Sequence, residues 1–451
     1  MKKTVLAAIA VAICPMCHAQ WWQAYSEKTG LVLSLHMADS AAEIYSPLQT
    51  ADPLPVSQWH LGGDTLTINC KNIGFKTVLH RREEGWNGYW KQGMVRETIV
   101  FGPADTLFQP RRPQTPQPPY SFVEETIATD YVDSHGDSIH LEGTLTLPQG
   151  HDPSRHTRYP CLMLVSGSGQ QNRDEEMFAH RPFLVLADYL AHYGIATFRY
   201  DDRGAGASTG PLDSATTLLF AEDAEALFNV LTFHPHIDRN LLGIGGHSEG
   251  GAIAPMIAAR NKNVKFVVML AGQGCTGLEV MVQQNEALFR SRGVSARLCK
   301  VRGACMHELL SLPAGATVKD YQAVIARHTE GLSKTEVDSI GLAKGIAYTL
   351  KQQVALPWMQ TFLHLDPARY LPKVKVPVLA LGGSRDCQVV STPNLQRIKE
   401  LSPKAEVCEL SGLNHLFQHC QTGTPSEYIF IEETFAEEAM KLIKDYILGL
   451  R

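Results

Sequence analysis

The chain has 451 residues, 44% of them hydrophobic and 19% charged, and a formal net charge of −5 at pH 7. That composition excludes a disordered chain, and the length implies about two or three domains rather than one small core. With a slightly acidic balance and no long basic run, neither nucleic acid nor an anionic membrane surface is indicated as a partner.

The N-terminus reads as an export signal. Lys2 and Lys3 supply a positive start, residues 4–13 an apolar run too short to span a bilayer, and Ala19 a cleavage site before Gln20. Residues 1–19 are therefore expected to be removed from an exported protein, periplasmic or secreted. No later stretch is long enough for a transmembrane helix. Of the ten cysteines, Cys14 and Cys17 fall in the signal, leaving Cys70, Cys161, Cys275, Cys299, Cys305, Cys387, Cys408 and Cys420. None of these forms a close C-x-x-C pair, so a zinc site is not expected. Export permits disulfides, and Cys275, Cys299 and Cys305 share one segment; pairing and free buried thiols both fit the spacing.

Residues 31–36 and 64–70 alternate apolar and polar side chains with period two, as half-buried strands do. Residues 86–93, rich in Trp and Tyr, read as a turn and an aromatic strand. Residues 20–109 are predicted to form a small antiparallel β domain. Its aromatics either fill the core, the usual place for such bulk, or line a carbohydrate groove. Pro110, Pro113, Pro116, Pro118 and Pro119 then fall within ten residues, a density that allows neither regular strand nor helix. Segment 110–119 is predicted to be an extended, stiff linker, with the second domain at 120–451.

Beyond residue 120 the pattern changes. Two strands, 125–132 and 139–147, flank a turn at His135-Gly136-Asp137. Apolar strands at 161–165, 195–200, 241–245 and 264–270 alternate with helices at 183–192, 218–233 and 252–260. Continuous Val/Ile/Leu strands between amphipathic helices imply an α/β fold with a mostly parallel, doubly wound sheet. The rhythm breaks between about 274 and 371, where helical stretches such as 278–290 and 318–328 replace strands. It resumes with strands at 376–382 and 405–410. The interruption is read as a helical cap over the carboxyl edge of the sheet, able to exclude water and shape a pocket.

Gly246, Ser248 and Gly250 fit G-x-S-x-G between the strand at 241–245 and the helix after it. A serine on such a strained turn needs small neighbours, and the following helix points its N-terminal N–H groups at the site. A serine hydroxyl is a weak nucleophile and needs a base oriented by an acid. Asp386 follows one later strand and His415 follows the next, giving the order Ser, Asp, His, each past the carboxyl end of a different strand. His419 is the nearest rival base, and His247 inside the turn is read as a packing residue. The backbone N–H of Glu249 and one from the loop Ser166-Gly167-Ser168-Gly169-Gln170, assigned to Ser168, are the candidate oxyanion donors. That loop lacks the lysine and the G-x-G-x-x-G pattern of a phosphate-binding loop.

Residues from about 120 to 450 resemble the α/β-hydrolase superfamily, and within it secreted bacterial esterases and serine aminopeptidase-like hydrolases with an extra N-terminal β domain. The resemblance rests on residues 166–175, 200–208, 246–251 and Leu413-Asn414-His415, with Ser166 where the superfamily usually has His before Gly. It implies an α/β-hydrolase fold with a helical cap, and a serine hydrolase cleaving small-molecule carboxylic esters through an acyl-enzyme, without metal or cofactor. A serine peptidase acting on short peptides uses the same machinery. A catalytically silent carbohydrate-binding protein is the third reading, and the complete Ser-His-Asp set weighs against it.

Overall fold

The computed structural model describes the chain apart from residues 1–19, 27–30, 39–40, 48–52, 94 and 344, so the expected signal segment lies outside the described residues. The chain divides into two compact units, 1–111 and 112–451.

In the first unit the strands are β1 (Gln20–Tyr25), β2 (Val32–Ala38), β3 (Ala41–Tyr45), β4 (Gln58–Gly62), β5 (Thr65–Cys70), β6 (Phe75–Arg82), β7 (Gly85–Gln92) and β8 (Val95–Ala104). They form one antiparallel sheet in the order β3-β2-β1-β8-β7-β6-β5-β4. The period of two decides which face is buried: Leu66, Ile68 and Cys70 are fully buried while the residues between them are not. Trp86 and Trp90 of β7 lie in the core with Phe75, where their bulk fills space, and Trp86 also reaches the wall of a pocket that Trp21 and Trp22 line. Tyr89, between them, is half-buried under the guanidinium of Arg96 at 4.1 Å.

The proline-rich stretch differs from the expected spacer. From Arg112 onward it lies along the second unit. The Arg112 guanidinium donates to the carbonyls of Phe178 (2.8 Å), Ile429 (3.0 Å) and Ile431 (3.0 Å). Gln114 donates to the Phe435 carbonyl at 2.7 Å and accepts from the N–H groups of Thr434 and Phe435. Prolines supply no N–H of their own, and the polar side chains between them tie the segment down instead.

The second unit holds β9 (Val123–Val132), β10 (Ser138–Leu147), β11 (Tyr159–Val165), α1 (Pro182–Ala191), β12 (Ala196–Tyr200), α2 (Thr217–Leu231), β13 (Ile237–His247), α3 (Glu249–Ala258) and β14 (Val267–Leu270). After an insertion come β15 (Val378–Gly383), β16 (Glu406–Leu410) and the C-terminal helix Glu437–Gly449. The sheet runs β9-β10-β12-β11-β13-β14-β15-β16, with β10 antiparallel to both its neighbours, β9 and β12, and every other pair parallel. This is the α/β-hydrolase fold. Apolar layers cover both faces, one centred on Met163, Phe198 and Ile244, the other on Leu162, Val268 and Leu381. Among its described residues the predicted interruption holds helices and no strand: α4 (Gly277–Ser291), α5 (Ala296–Leu310), α6 (Val318–His328), α7 (Lys334–Ser339), α8 (Ile346–Val354) and α9 (Pro357–Leu363). The eight cysteines among the described residues are free thiols. Among the described residues no helix is long and apolar enough to cross a membrane.

Candidate active site

Strand β13 sits at the middle of the sheet between β11 and β14 and delivers Ser248 one residue past its end. Ser248 adopts φ 54° and ψ −114°, a conformation side chains rarely take. Its N–H donates to the Leu270 carbonyl at 2.8 Å, which pins the turn to the neighbouring strand. The glycines are needed for space. A Cβ on Gly246 would come within 2.3 Å of the Gly250 backbone, and one on Gly250 within 2.1 Å of the Val165 carbonyl oxygen. Helix α3 begins at Glu249, three residues before the sequence expectation, so the Glu249 N–H is a first-turn donor without an intrahelical acceptor.

Asp386 lies in the loop after β15 and His415 in the loop after β16. His415 Nδ1 is 2.7 Å from Asp386 Oδ2, and both side chains are almost completely buried. The other oxygen of Asp386 accepts from the N–H groups of Gln388 (2.7 Å) and Val389 (2.9 Å), which fixes the carboxylate. Ser248, His415, Glu249 and Ser168 line one cavity of about 150 Å³, roofed by Met281 of α4 and Trp358, Met359 and Phe362 of α9. The four candidate residues, from the ends of β13 and β16 and the 166–170 loop, thus line one cavity, with Asp386 after β15 bonded to His415. His419 does not: its ring is held at the surface by Glu433 (2.9 Å) and Glu438 (3.1 Å), whose hydrogen bonds and charges raise its pKa. Asp201 and Asp202 are committed elsewhere. Asp201 pairs with Arg173 at 2.5 Å, and Asp202 accepts from the Ser166 hydroxyl at 2.8 Å, with burial pushing its pKa well up.

The sequence of the same region agrees with known hydrolases. Residues 181–419, over half of the chain, match the family described as serine aminopeptidase, S33. The chain belongs to this S33 hydrolase family. It is 26% identical over 318 residues to Esterase EstD of Thermotoga maritima, a match that takes in 69% of this chain and 64% of that protein. Among solved structures it is similar to the hypothetical protein PA2218 of Pseudomonas aeruginosa, at 15% identity and TM-score 0.44 over 77% of this chain and 100% of that one. It is also similar to proline iminopeptidase of Mycobacterium smegmatis, at 17% identity and TM-score 0.42 over 72% and 98%.

Three features of this S33-family site were not legible in its sequence. His247, read as a packing residue, is a bridge: Nδ1 meets Glu175 Oε1 and Nε2 meets the His415 carbonyl, each at 2.8 Å. Both partners only accept, so the ring satisfies them as an imidazolium. Burial opposes that charge, but Glu175 and the carbonyl together raise the His247 pKa. The same Glu175 oxygen accepts from the Gly167 N–H at 2.6 Å, so one carboxylate ties the 166–170 loop to the loop of His415. Glu175 also has a positive φ of 51°, which nothing in its residue type announces. The third feature is Glu249 itself. Its fully buried side chain accepts from Thr217 and, at 2.8 Å, from Trp358 Nε1, while Oε2 has no partner in the protein. Burial raises its pKa to about 7.

Proposed function

We propose that the protein is a carboxylic-ester hydrolase working through an acyl-enzyme on Ser248. The observation that carries the reading is the buried Asp386–His415 hydrogen bond beside an elbow serine in one cavity. Ser248 Oγ attacks the ester carbonyl carbon as His415 Nε2 takes its proton. Asp386 orients the ring and stabilises the imidazolium. The N–H groups of Glu249 and Ser168 receive the developing oxyanion. The imidazolium then protonates the departing alkoxide, and water, deprotonated by His415, releases the acid and restores Ser248.

The family is described by an aminopeptidase, and a peptidase of short peptides is the competing substrate class. A free substrate amine calls for carboxylates to hold it. Among the residues lining the cavity only Glu249 carries one, and it is buried, doubly hydrogen-bonded and half-protonated near neutral pH. That favours esters, as does the name of the Thermotoga relative. The test compares short-chain aryl esters with aminoacyl amides on the purified chain. Ester turnover is expected to dominate in kcat/KM, to vanish in Ser248→Ala and to fall on the order of 10⁴-fold in Asp386→Asn, as for the same change in a serine protease. Faster turnover of aminoacyl amides would make it a peptidase. Folded variants as active as the parent would remove the mechanism.

A further inference from the structure

The proposed ester chemistry leaves a second polar cluster unused, at the opposite end of the sheet. Glu125 lies near the start of β9, His151 between β10 and β11, and His234 and His236 between α2 and β13. The Tyr159 N–H donates to the His236 carbonyl at 2.9 Å where β11 and β13 begin, so the whole length of β13 separates this cluster from Ser248.

One ligand atom from each of Glu125, His151 and His236 lies within 4.8 Å of the other two. His151 is only 8% exposed, and its Nε2 is buried with no hydrogen-bond partner in the protein. A buried ring nitrogen is normally paired, so this one points to a ligand. The rings are held from their other side. His151 Nδ1 meets the Tyr159 hydroxyl at 3.4 Å, and His236 Nδ1 meets the Thr157 carbonyl at 3.3 Å, leaving each Nε2 to ligate. Outer partners of this kind fix the tautomer and direction of metal-binding histidines. Glu125 is oriented too, since His234 Nε2 lies 3.1 Å from its Oε2.

We propose that Glu125, His151 and His236 form a binding site for one zinc-type divalent transition-metal ion. Two imidazole nitrogens and a carboxylate oxygen suit tetrahedral Zn²⁺, with a fourth position for water. Zinc bonds of about 2.0–2.1 Å place ligand atoms about 3.3 Å apart, so the trio, whose atoms lie within 4.8 Å of one another, closes by at most about 1.5 Å on binding, a side-chain adjustment. The ion joins three segments distant in sequence: the antiparallel flank, the loop into β11 and the turn into β13. Its role is structural. The cysteine spacing that argued against zinc could not register this site, because its donors are histidine and glutamate brought together only by the sheet.

The experiment uses untagged full-length protein, stripped with chelator and titrated with Zn²⁺ by calorimetry, with thermal melts alongside. The parent is expected to bind one equivalent per chain and to melt on the order of 5 °C higher in excess Zn²⁺. His151→Gln and His236→Gln should each weaken that binding at least about 100-fold. His236 and Glu125 are half-buried, so His236→Gln and Glu125→Gln keep the test open if His151→Gln fails to fold. Tetrahedral visible bands of bound Co²⁺, present in the parent and absent from these variants, would place the ion at the trio. Absence of one-equivalent uptake by the parent, or uptake undiminished in folded His236→Gln and Glu125→Gln, overturns the proposal.

Discussion

Ser248 occupies a backbone conformation that costs on the order of 1–3 kcal/mol, and the strand beneath it and the helix after it hold it there. Its neighbour Glu249 carries a cost that varies with pH. The raised carboxyl pKa, about 7 against an ordinary 4.5, means that the native state prefers the protonated acid. That preference contributes fully below the unfolded value and is lost as pH climbs from about 4.5 to about 7, a difference of roughly 3 kcal/mol. Glu249→Gln keeps the shape and removes the charge. Its melting temperature should exceed the parent's at pH 8 by several degrees, with the gap closing near pH 5. Melts of the two proteins that run parallel across that range would show that Glu249 is not the group responsible.

At the scale of elements, the cap decides what fits. Trp358 of α9 and Ser168 line both the cavity of Ser248 and a second one of about 360 Å³ bounded by Leu212, Ala215 and Phe220. The indole is thus a partition. Trp358→Ala should join the two spaces and raise kcat/KM for medium-chain over acetyl esters on the order of tenfold, since each methylene accepted by an apolar pocket is worth about that much. An unchanged chain-length profile would mean that the acyl group lies elsewhere. How much of this was legible in the sequence follows from the range of the interactions. Strand–helix alternation is local, so the sheet, the helical insertion and the strand-end places of Ser248, Asp386 and His415 could be read directly. The α3 start was missed because Gly250 and Gly251 are poor helix formers, retained where the backbone passes close to β11 and Gly272. The Glu175–His247–His415 bridge and the partition by Trp358 join residues 72 to 168 positions apart and leave no periodic trace.

For the molecule as a whole, the position of the domain border sets where it can be cut. Arg112 and Gln114 belong to the hydrolase unit by their hydrogen bonds, and burial lowers the Arg112 pKa to about 10. A chain beginning at Tyr120 loses those donors and leaves the carbonyls of Phe178, Ile429 and Ile431 without them, at about 1–3 kcal/mol for each group left unsatisfied. A chain beginning at Arg112 should keep its melting temperature and its kcat/KM on a small aryl ester, while one beginning at Tyr120 should melt several degrees lower. A well-folded 112–451 chain with activity down a hundredfold would show that the first unit contributes to catalysis. The free thiols carry one more consequence. Burial lifts Cys305 and Cys420 to about 11 and raises Cys161 and Cys387 as well, so at neutral pH roughly one in 10⁴ of the first two is thiolate. Oxidants and alkylating agents react with the thiolate, and these sulfurs are therefore chemically quiet in the native state. Fully buried Cys161 in β11 and Cys305 in α5 become nucleophiles only when the sheet or the helical insertion opens, which makes their rate of labelling a clock for unfolding.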